Sequence, residues 1–166
     1  QFLFDASRYG FAVRTVEAPF FRRVVAWRKQ AAADLNPAER FGLGPRYERL
    51  VSRLRERLGP PRAPARAQSV GTRDGKGILF VSHAGKIYPS GFLPLRLGDV
   101  VEDDIVRVYR EHPVLRAIRR SRFSGRCGAC DFADACGGSR ARAFAASSDP
   151  LGEDPACAYA PAASVS

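Results

Sequence analysis

The hydrophobic and polar positions of the N-terminal third predict helices separated by one strand. Residues 2–9 have weak helical character, and Gly10 ends it. The segment from Phe11 to Glu17 alternates its side chains with a period of two, which predicts a strand. Pro19 is tolerated in the first turn of a helix, so we expect a helix to follow it. Its apolar positions at helical spacing are Phe20, Val24 and Trp27.

A second helix has a clear amphipathic pattern. Asn36-Pro37 marks a break in the chain, and Pro45 suits the start of a helix. The residues after Pro45 place charged side chains opposite an apolar stripe, which predicts a surface helix. The apolar stripe consists of Tyr47, Leu50, Val51, Leu54 and Leu58.

Residues 59–75 are rich in Pro, Ala, Arg and Gly. This composition is typical of a linker or a surface loop. We therefore expect a boundary here between an N-terminal part, residues 1–58, and a C-terminal part, residues 76–166.

The C-terminal part opens with a pattern typical of a β-hairpin and two helices. The run Gly77–His83 predicts a strand, and residues 84–86 form a short turn after which the chain returns. Asp103 and Asp104 suit the positive end of a helix dipole. Pro113 is expected to begin the second helix.

Composition narrows the functional classes. The 166-residue chain is 45% hydrophobic, so it can bury a core and is not disordered throughout. No run approaches the roughly 18 apolar residues of a membrane span. The formal net charge is +10. The arginines are spread over helical faces without an interleaved aromatic platform, which favours a solvated basic surface over nucleic-acid binding.

The cysteines carry the strongest chemical signal. Cys127, Cys130, Cys136 and Cys157 follow the spacing C-x2-C-x5-C-x20-C. No secretory signal is recognisable, which disfavours a disulfide framework and points to the cytoplasm. Four thiolates suit either zinc or an iron–sulfur cluster, and their spacing alone does not decide between the two metals. Zinc sites usually have two C-x2-C pairs, and only one is present, so a single 4Fe–4S cluster is favoured over zinc.

The residues around the cysteines resemble a known family. The run GRCGACDFADACGGSRARAFAASSDPLGEDPACAYAP looks like the C-terminal auxiliary-cluster region of radical SAM proteins with a SPASM-type extension. Upstream, GILFVSHAGKIYPSGFLPLRLGDVVEDDIVRVYREHPVL resembles the hairpin and helix of that region. The run RTVEAPFFRRVV is more weakly similar to the last strand and helix of the radical SAM partial barrel. PSGFLP and CGGSRARA are similar to a bacterial radical SAM/SPASM subgroup.

Two departures from this family change what the resemblance implies. Full SPASM regions carry seven cysteines and two auxiliary clusters, and the four present here match the ligands of the outer cluster. Ser90, the segment GFLPLRLGD and Arg140 occupy the places of the other ligands, so one cluster is implied. Radical SAM chemistry also needs a C-x3-C-x2-C loop, and no cysteine precedes Cys127. We therefore expect a fragment of a longer enzyme that is inactive alone, with S-adenosylmethionine and its own 4Fe–4S cluster bound only by the full-length parent.

The resemblance implies an α+β fold. Residues 1–58 would end a partial (β/α) barrel, residues 59–75 would be a linker, and residues 76–166 would form a SPASM-like hairpin with helices and a cysteine-rich cluster loop. The implied role is electron transfer during modification of a peptide or small cofactor precursor by an oxidoreductase or maturase. A ferredoxin or flavodoxin type of electron carrier is the implied partner. A non-catalytic four-cysteine zinc module for interactions remains the alternative.

Three further residues are candidates for facing a substrate. His83 lies in the hairpin turn, where it either contacts substrate or makes turn hydrogen bonds. Ser90 either bonds to substrate or fills the space of the replaced cysteine. Glu17 ends the predicted barrel strand, where it either faces the site or stabilises the following helix.

The polar residues near the cysteines allow two interpretations each. Arg140 and Arg142 either stabilise a reduced cluster or pair with Asp154, and a solvated basic helix face is the alternative. Asp131 and Asp134 are expected to accept hydrogen bonds from loop amides.

Overall fold

The computed structural model describes residues 1–15, 18–30, 36–67 and 73–161, with only the backbone of Arg40. The chain divides into two compact units, Gln1–Ser69 and Val70–Ser166. Helices and a small antiparallel sheet are both present, which is compatible with the α+β class. The barrel, the SPASM assignment and the expected domain bounds stay predictions. Among the described residues, no helix has the length and apolar character needed to cross a membrane.

The first unit is helical. Gly10 has a left-handed φ of 95° and ends the first helical segment, as predicted. The helix expected after Pro19 is confirmed over residues 20–30, and its remaining residues lie outside the described part. Asn36 caps the next helix by accepting a hydrogen bond from the Ala38 N–H at 3.0 Å. The elements are α1 (Phe2–Ala6), a 3-10 turn (Ser7–Tyr9), α2 (Phe20–Gln30), α3 (Pro37–Arg40) and α4 (Pro45–Leu58).

The core of this unit corrects the stripe predicted for α2. Phe21 and Val25 are buried against Phe4 and Ala67, whereas Phe20, Val24 and Trp27 are half-buried. The buried face of α2 therefore lies about one position further along the helix than the sequence predicts. Trp27 stacks on the Phe41 ring, with the ring centroids 5.7 Å apart, instead of entering this core. The core consists of Phe4, Phe21, Val25 and Ala67, with Val13, Val24 and Ala65 packed against it.

The strand predicted from Phe11 to Glu17 is wrong over its described residues, 11–15. Only Val13 pairs there, in an isolated parallel bridge with Ala67. A single bridge does not make a ladder, so these residues stay irregular. Val16 and Glu17 lie outside the described residues.

Helix α4 confirms the amphipathic prediction, but none of its residues is buried in the described chain. Leu50 and Leu58 of its apolar stripe are exposed. Together with Phe2 they line an open groove of about 420 Å³.

The second unit contains a three-stranded antiparallel sheet in the order β1-β2-β3. The predicted hairpin is confirmed, with Phe80 opposite Tyr88, although its first strand is shorter than expected. The third strand was not predicted, because two residues give no alternation to detect. Asp99 in this strand forms an ion pair with Lys86, its partner in register. The strands are β1 (Phe80–Val81), β2 (Lys86–Tyr88) and β3 (Gly98–Asp99).

The two helices that the sequence predicts in this unit begin at the expected residues, Asp104 and Pro113. Asp104 caps the first by accepting hydrogen bonds from the Val106 and Arg107 N–H groups at 2.8 and 3.2 Å. Asp103 instead accepts from the Asp99 N–H at 2.9 Å. The helices are α5 (Ile105–Glu111), α6 (Pro113–Arg119), α7 (Gly125–Gly128) and α8 (Arg140–Ser147).

The end of the expected linker is packed. Asp74 and Gly75 are buried, and the Gly75 N–H donates to the Pro89 carbonyl at 2.8 Å. A Cβ on Gly75 would lie 2.5 Å from Leu115, which only a glycine avoids. Residues 73–75 therefore pack within the second unit, since glycine and aspartate, which are common in loops, also serve tight packing.

Candidate metal centre

Helix α7 carries Cys127, the first of the four cysteines. Cys127 is 9% exposed. A Cβ on Gly128 would lie 2.2 Å from the backbone oxygen of Phe123, so only glycine allows the chain to fold back this closely. Cys130 lies just beyond α7, where its Sγ accepts a hydrogen bond from the Phe132 N–H at 3.4 Å. The first two cysteines are therefore held by local backbone geometry.

Cys136 closes the loop that follows. It is 5% exposed, and its N–H donates to the Phe132 carbonyl at 2.7 Å. Gly138 follows with a left-handed φ of 60°, and a Cβ there would lie 3.1 Å from the Cys127 Sγ. The chain consequently passes directly beside the first cysteine before it enters α8.

The fourth cysteine returns to this loop from distant sequence. Arg126 holds the returning segment through two hydrogen bonds from its guanidinium to Glu153, each 3.1 Å long, and a third to the Cys157 carbonyl at 3.2 Å. These hydrogen bonds to Glu153 raise the pKa of Arg126, and they lower the pKa of Glu153. Sequence reasoning missed this pair, because 27 residues separate its members and no local pattern links them.

The sulfur of Cys127 receives two hydrogen bonds from different directions. The Asp154 N–H donates to it at 3.5 Å, and Nη2 of Arg140 donates at 3.6 Å. The Cys127 sulfur therefore lies against one backbone amide and one guanidinium, both of which are hydrogen-bond donors.

Arg140 is 1% exposed. Its Nη1 donates to the carbonyls of Pro150 and Gly152 at 3.2 and 2.6 Å. Its guanidinium lies 4.4 Å from the centre of the Phe123 ring, a cation–π contact. The alternative of a solvated basic helix face is therefore wrong for this residue.

Arg142 pairs with Asp154, as one of the sequence interpretations proposed. Its Nε and Nη2 donate to the two carboxylate oxygens at 2.9 and 2.6 Å. The Ser139 N–H donates to the same carboxylate at 2.8 Å. Burial tends to raise the pKa of Asp154, but the hydrogen bonds from Arg142, Ser139 and Ala156 outweigh it, so the pKa is lowered.

The Asp134 carboxylate has other hydrogen-bond donors than the loop amides that the sequence predicts. Its carboxylate accepts hydrogen bonds from Lys76 Nζ at 3.0 Å and from the Ser121 hydroxyl at 3.2 Å. The hydrogen bond from Lys76 lowers the pKa of Asp134. Its carbonyl accepts from Arg73 at 2.7 Å. The loop between Cys130 and Cys136 is therefore tied to residues far upstream.

The other predicted site residues fall in different places. His83 is exposed in the turn of the β1–β2 hairpin. Ser90 is 6% exposed just after β2, and its hydroxyl accepts from the Phe92 N–H at 3.2 Å. Glu17 lies outside the described residues. Their proposed contacts with a substrate therefore stay predictions.

The four cysteines are the residue type that binds zinc or an iron–sulfur cluster through thiolates. Within the described residues, no three His, Cys, Asp or Glu side chains are arranged to hold a metal ion. A single ion needs its four ligands close around one point, with Zn–S near 2.3 Å. In a 4Fe–4S cluster each cysteine binds a different iron, so the four cysteine sulfurs lie farther apart than they do around a single ion. The buried Arg140 also has an Nε–H without a hydrogen-bond partner, which a sulfur acceptor would satisfy.

No protein-family model matches the chain. A protein named AdoMet-dependent heme synthase from Nitratidesulfovibrio vulgaris is 29% identical over 161 residues, which is 92% of this chain and 43% of the relative. A protein with the same name from Oleidesulfovibrio alaskensis is 30% identical over 165 residues, which is 94% of this chain and 41% of the relative. Another from Methanosarcina barkeri is 38% identical over 96 residues, 57% of this chain and 28% of the relative.

The chain spans about two fifths of the length of the first two relatives. Homologues named AdoMet-dependent heme synthase therefore cover most of this chain at about 30% identity.

Proposed function

We propose that this chain is the auxiliary-cluster part of a radical SAM enzyme similar to the AdoMet-dependent heme synthases. In this proposal Cys127, Cys130, Cys136 and Cys157 bind one 4Fe–4S cluster. The observation that carries the proposal is the similarity to those proteins over 92% and 94% of the chain. The packing around the cysteine sulfurs supports it independently.

The environment of Cys127 suits a ligand that carries negative charge. Its sulfur is buried, and it accepts from the Asp154 N–H and from the Arg140 guanidinium. Hydrogen bonds and charges near the sulfurs tune the reduction potential of an iron–sulfur cluster. Arg140 and Asp154 would orient this sulfur and lower the cost of burying it as a thiolate.

The fourth ligand depends on the return segment. Glu153 is held by Arg126, the residue before Cys127, and Cys157 lies four residues beyond Glu153. This ion pair would keep Cys157 near the other ligands. A group bound by four cysteines has no open iron, so the role we propose is the uptake and release of single electrons rather than ligation of a substrate.

The substrate we propose is a small cofactor precursor, since the relatives are named for making heme. A peptide remains the alternative substrate from the sequence. His83, Ser90 and Glu17 are proposed as substrate-facing residues. The parent enzyme would bind S-adenosylmethionine and its own cluster, work in the cytoplasm, and receive electrons from a ferredoxin or flavodoxin type of carrier.

Anaerobic reconstitution of the 166-residue chain with iron and sulfide tests the cluster. We expect a brown protein with about four irons per chain, a thiolate-to-iron absorbance band, and loss of most iron in Cys157→Ala. Ser90→Ala is the matched control and should retain the iron. A colourless chain that binds one zinc through the same four cysteines would instead support the zinc module and overturn the proposal.

A further inference from the structure

We propose that Arg140 positions Cys127 and supplies the positive charge that sets the reduction potential of the cluster. This inference rests on the proposed function, because it concerns the same cysteines. It goes beyond that function in assigning a tuning role to a residue that is not a ligand.

The charge of Arg140 lacks a carboxylate partner in the described part of the chain. Its contacts are two carbonyls, the face of the Phe123 ring and the sulfur of Cys127. The nearby carboxylate of Asp154 is instead engaged by Arg142. A guanidinium that is 1% exposed is costly to bury without a counter-charge. Of its contacts, only the Cys127 sulfur carries a full negative charge, when it is a thiolate.

The Arg140 side chain contacts both the first of the four cysteines and the segment that leads to the last one. Nη2 contacts Cys127, while Nη1 contacts Pro150 and Gly152 in the segment that leads to Cys157. The Phe123 ring lies against the guanidinium and limits its movement. Gly138 makes room, since a Cβ there would lie 2.6 Å from Nη2. Contacts with Phe123, Pro150 and Gly152 therefore hold the guanidinium beside the Cys127 sulfur.

The positive charge of Arg140 determines the direction in which the reduction potential should change. Reduction adds one electron to the cluster, so the reduced state is the more negative one, and a buried cation in contact with a ligand stabilises it. Removal of the cation should therefore make the reduction potential more negative. Arg140 would act through Cys127, and so it is a positioning residue that touches neither substrate nor iron.

A charge series on the reconstituted 166-residue chain tests this role. Arg140→Gln removes the charge, Arg140→Lys keeps it, and Arg122→Gln removes an exposed charge five residues before Cys127. The readouts are iron per chain, the potential from an anaerobic reductive titration, and the EPR spectrum of the reduced form. We expect a more negative potential in Arg140→Gln, a potential in Arg140→Lys closer to that of the wild type, and no shift in Arg122→Gln.

The inference is overturned if Arg140→Gln binds iron at the wild-type potential, or if Arg122→Gln shifts the potential equally. If Arg140→Gln does not fold, Arg140→Lys decides by EPR. An ammonium does not reach two carbonyls and the sulfur together, so altered g-values support the contact and an unchanged spectrum refutes it. A wild-type chain that binds no cluster refutes the proposed function itself, whereas an iron-loaded chain with an insensitive Arg140 refutes only this inference.

Discussion

Arg142 and Asp154 form a two-point ion pair in which the carboxylate is completely buried. Asp154 also accepts hydrogen bonds from the Ser139 and Ala156 N–H groups at 2.8 and 3.1 Å. This carboxylate therefore connects the start of α8 with the segment before Cys157. Its position explains how two stretches of chain that are far apart in sequence stay together beside Cys127.

Arg142→Met should destabilise the second unit by about 3 kcal/mol, because it leaves a buried carboxylate without its cation. The free energy of unfolding of the metal-free chain, measured in urea, tests this. Arg122→Met is the matched control, since Arg122 is exposed, and it should change that free energy by less than about 0.5 kcal/mol. Equal effects of the two substitutions would contradict the role of the ion pair.

Gly128→Ala should lower the free energy of unfolding by about 2 kcal/mol or more. The added Cβ would lie 2.2 Å from the Phe123 oxygen, and a backbone atom does not move aside as a flexible side chain does. Gly91→Ala provides the comparison, because its Cβ would meet Phe80 at an ordinary 3.7 Å. If thermal unfolding gives both variants the same melting temperature, the close approach at Gly128 is not a constraint.

Asp99 should make the stability of the three-stranded sheet depend on pH in the acid range. The hydrogen bond from Lys86, followed by that from the Val101 N–H, lowers the pKa of Asp99 below its ordinary value of 3.8. A lowered pKa stabilises the folded state above the unfolded value, and this stabilisation is lost as the pH falls through the folded value. The difference in unfolding free energy between the wild type and Asp99→Asn should thus be full near neutral pH and shrink below about pH 4.

The exposed Glu102 provides the control for Asp99. Glu102→Gln should show little difference from the wild type at any of these pH values. A difference for Asp99→Asn that is constant from neutral to strongly acid pH would contradict the prediction.

Tyr47 should respond to alkaline pH in the opposite sense. Burial raises the pKa of this phenol above its ordinary value of 10.0, and the hydrogen bond to Asp5, 2.8 Å long, adds to the rise. A raised pKa stabilises the fold below the unfolded value, and that contribution disappears as the pH rises through the folded one. Absorbance titration should show one late-ionising tyrosine that is missing in Tyr47→Phe, and its presence in both proteins would refute the assignment.

Local patterns were enough to predict much of this structure. Asp104 and Pro113 mark helix starts that the structure contains, because capping and proline geometry act within one turn. The hairpin was predicted for the same reason. The stripe of α2 was assigned to the wrong positions, because the choice between Phe20 and Phe21 depends on what packs against the helix.

The candidate site likewise has some features that the sequence predicts and others that it does not. The pairing of Arg142 with Asp154 is one of the interpretations that the sequence offers, and the structure contains it. The binding of a metal group by the four cysteines stays a prediction. The pair of Arg126 with Glu153, and the insertion of Arg140 between Cys127 and the carbonyls, depend on contacts 10 to 27 residues apart. Their residue types are common on solvated surfaces, so no local signal distinguishes them.

The burial of Cys127 and Cys136 has a kinetic consequence. Reagents in bulk solvent reach a buried sulfur only while the surrounding loop is open, so the rate of reaction is limited by the frequency of local opening. Iron uptake by the folded chain would then be slow and strongly temperature-dependent, whereas uptake during folding would meet no such barrier. For the proposed cluster, the timing of metal delivery relative to chain folding would therefore determine how much protein is loaded.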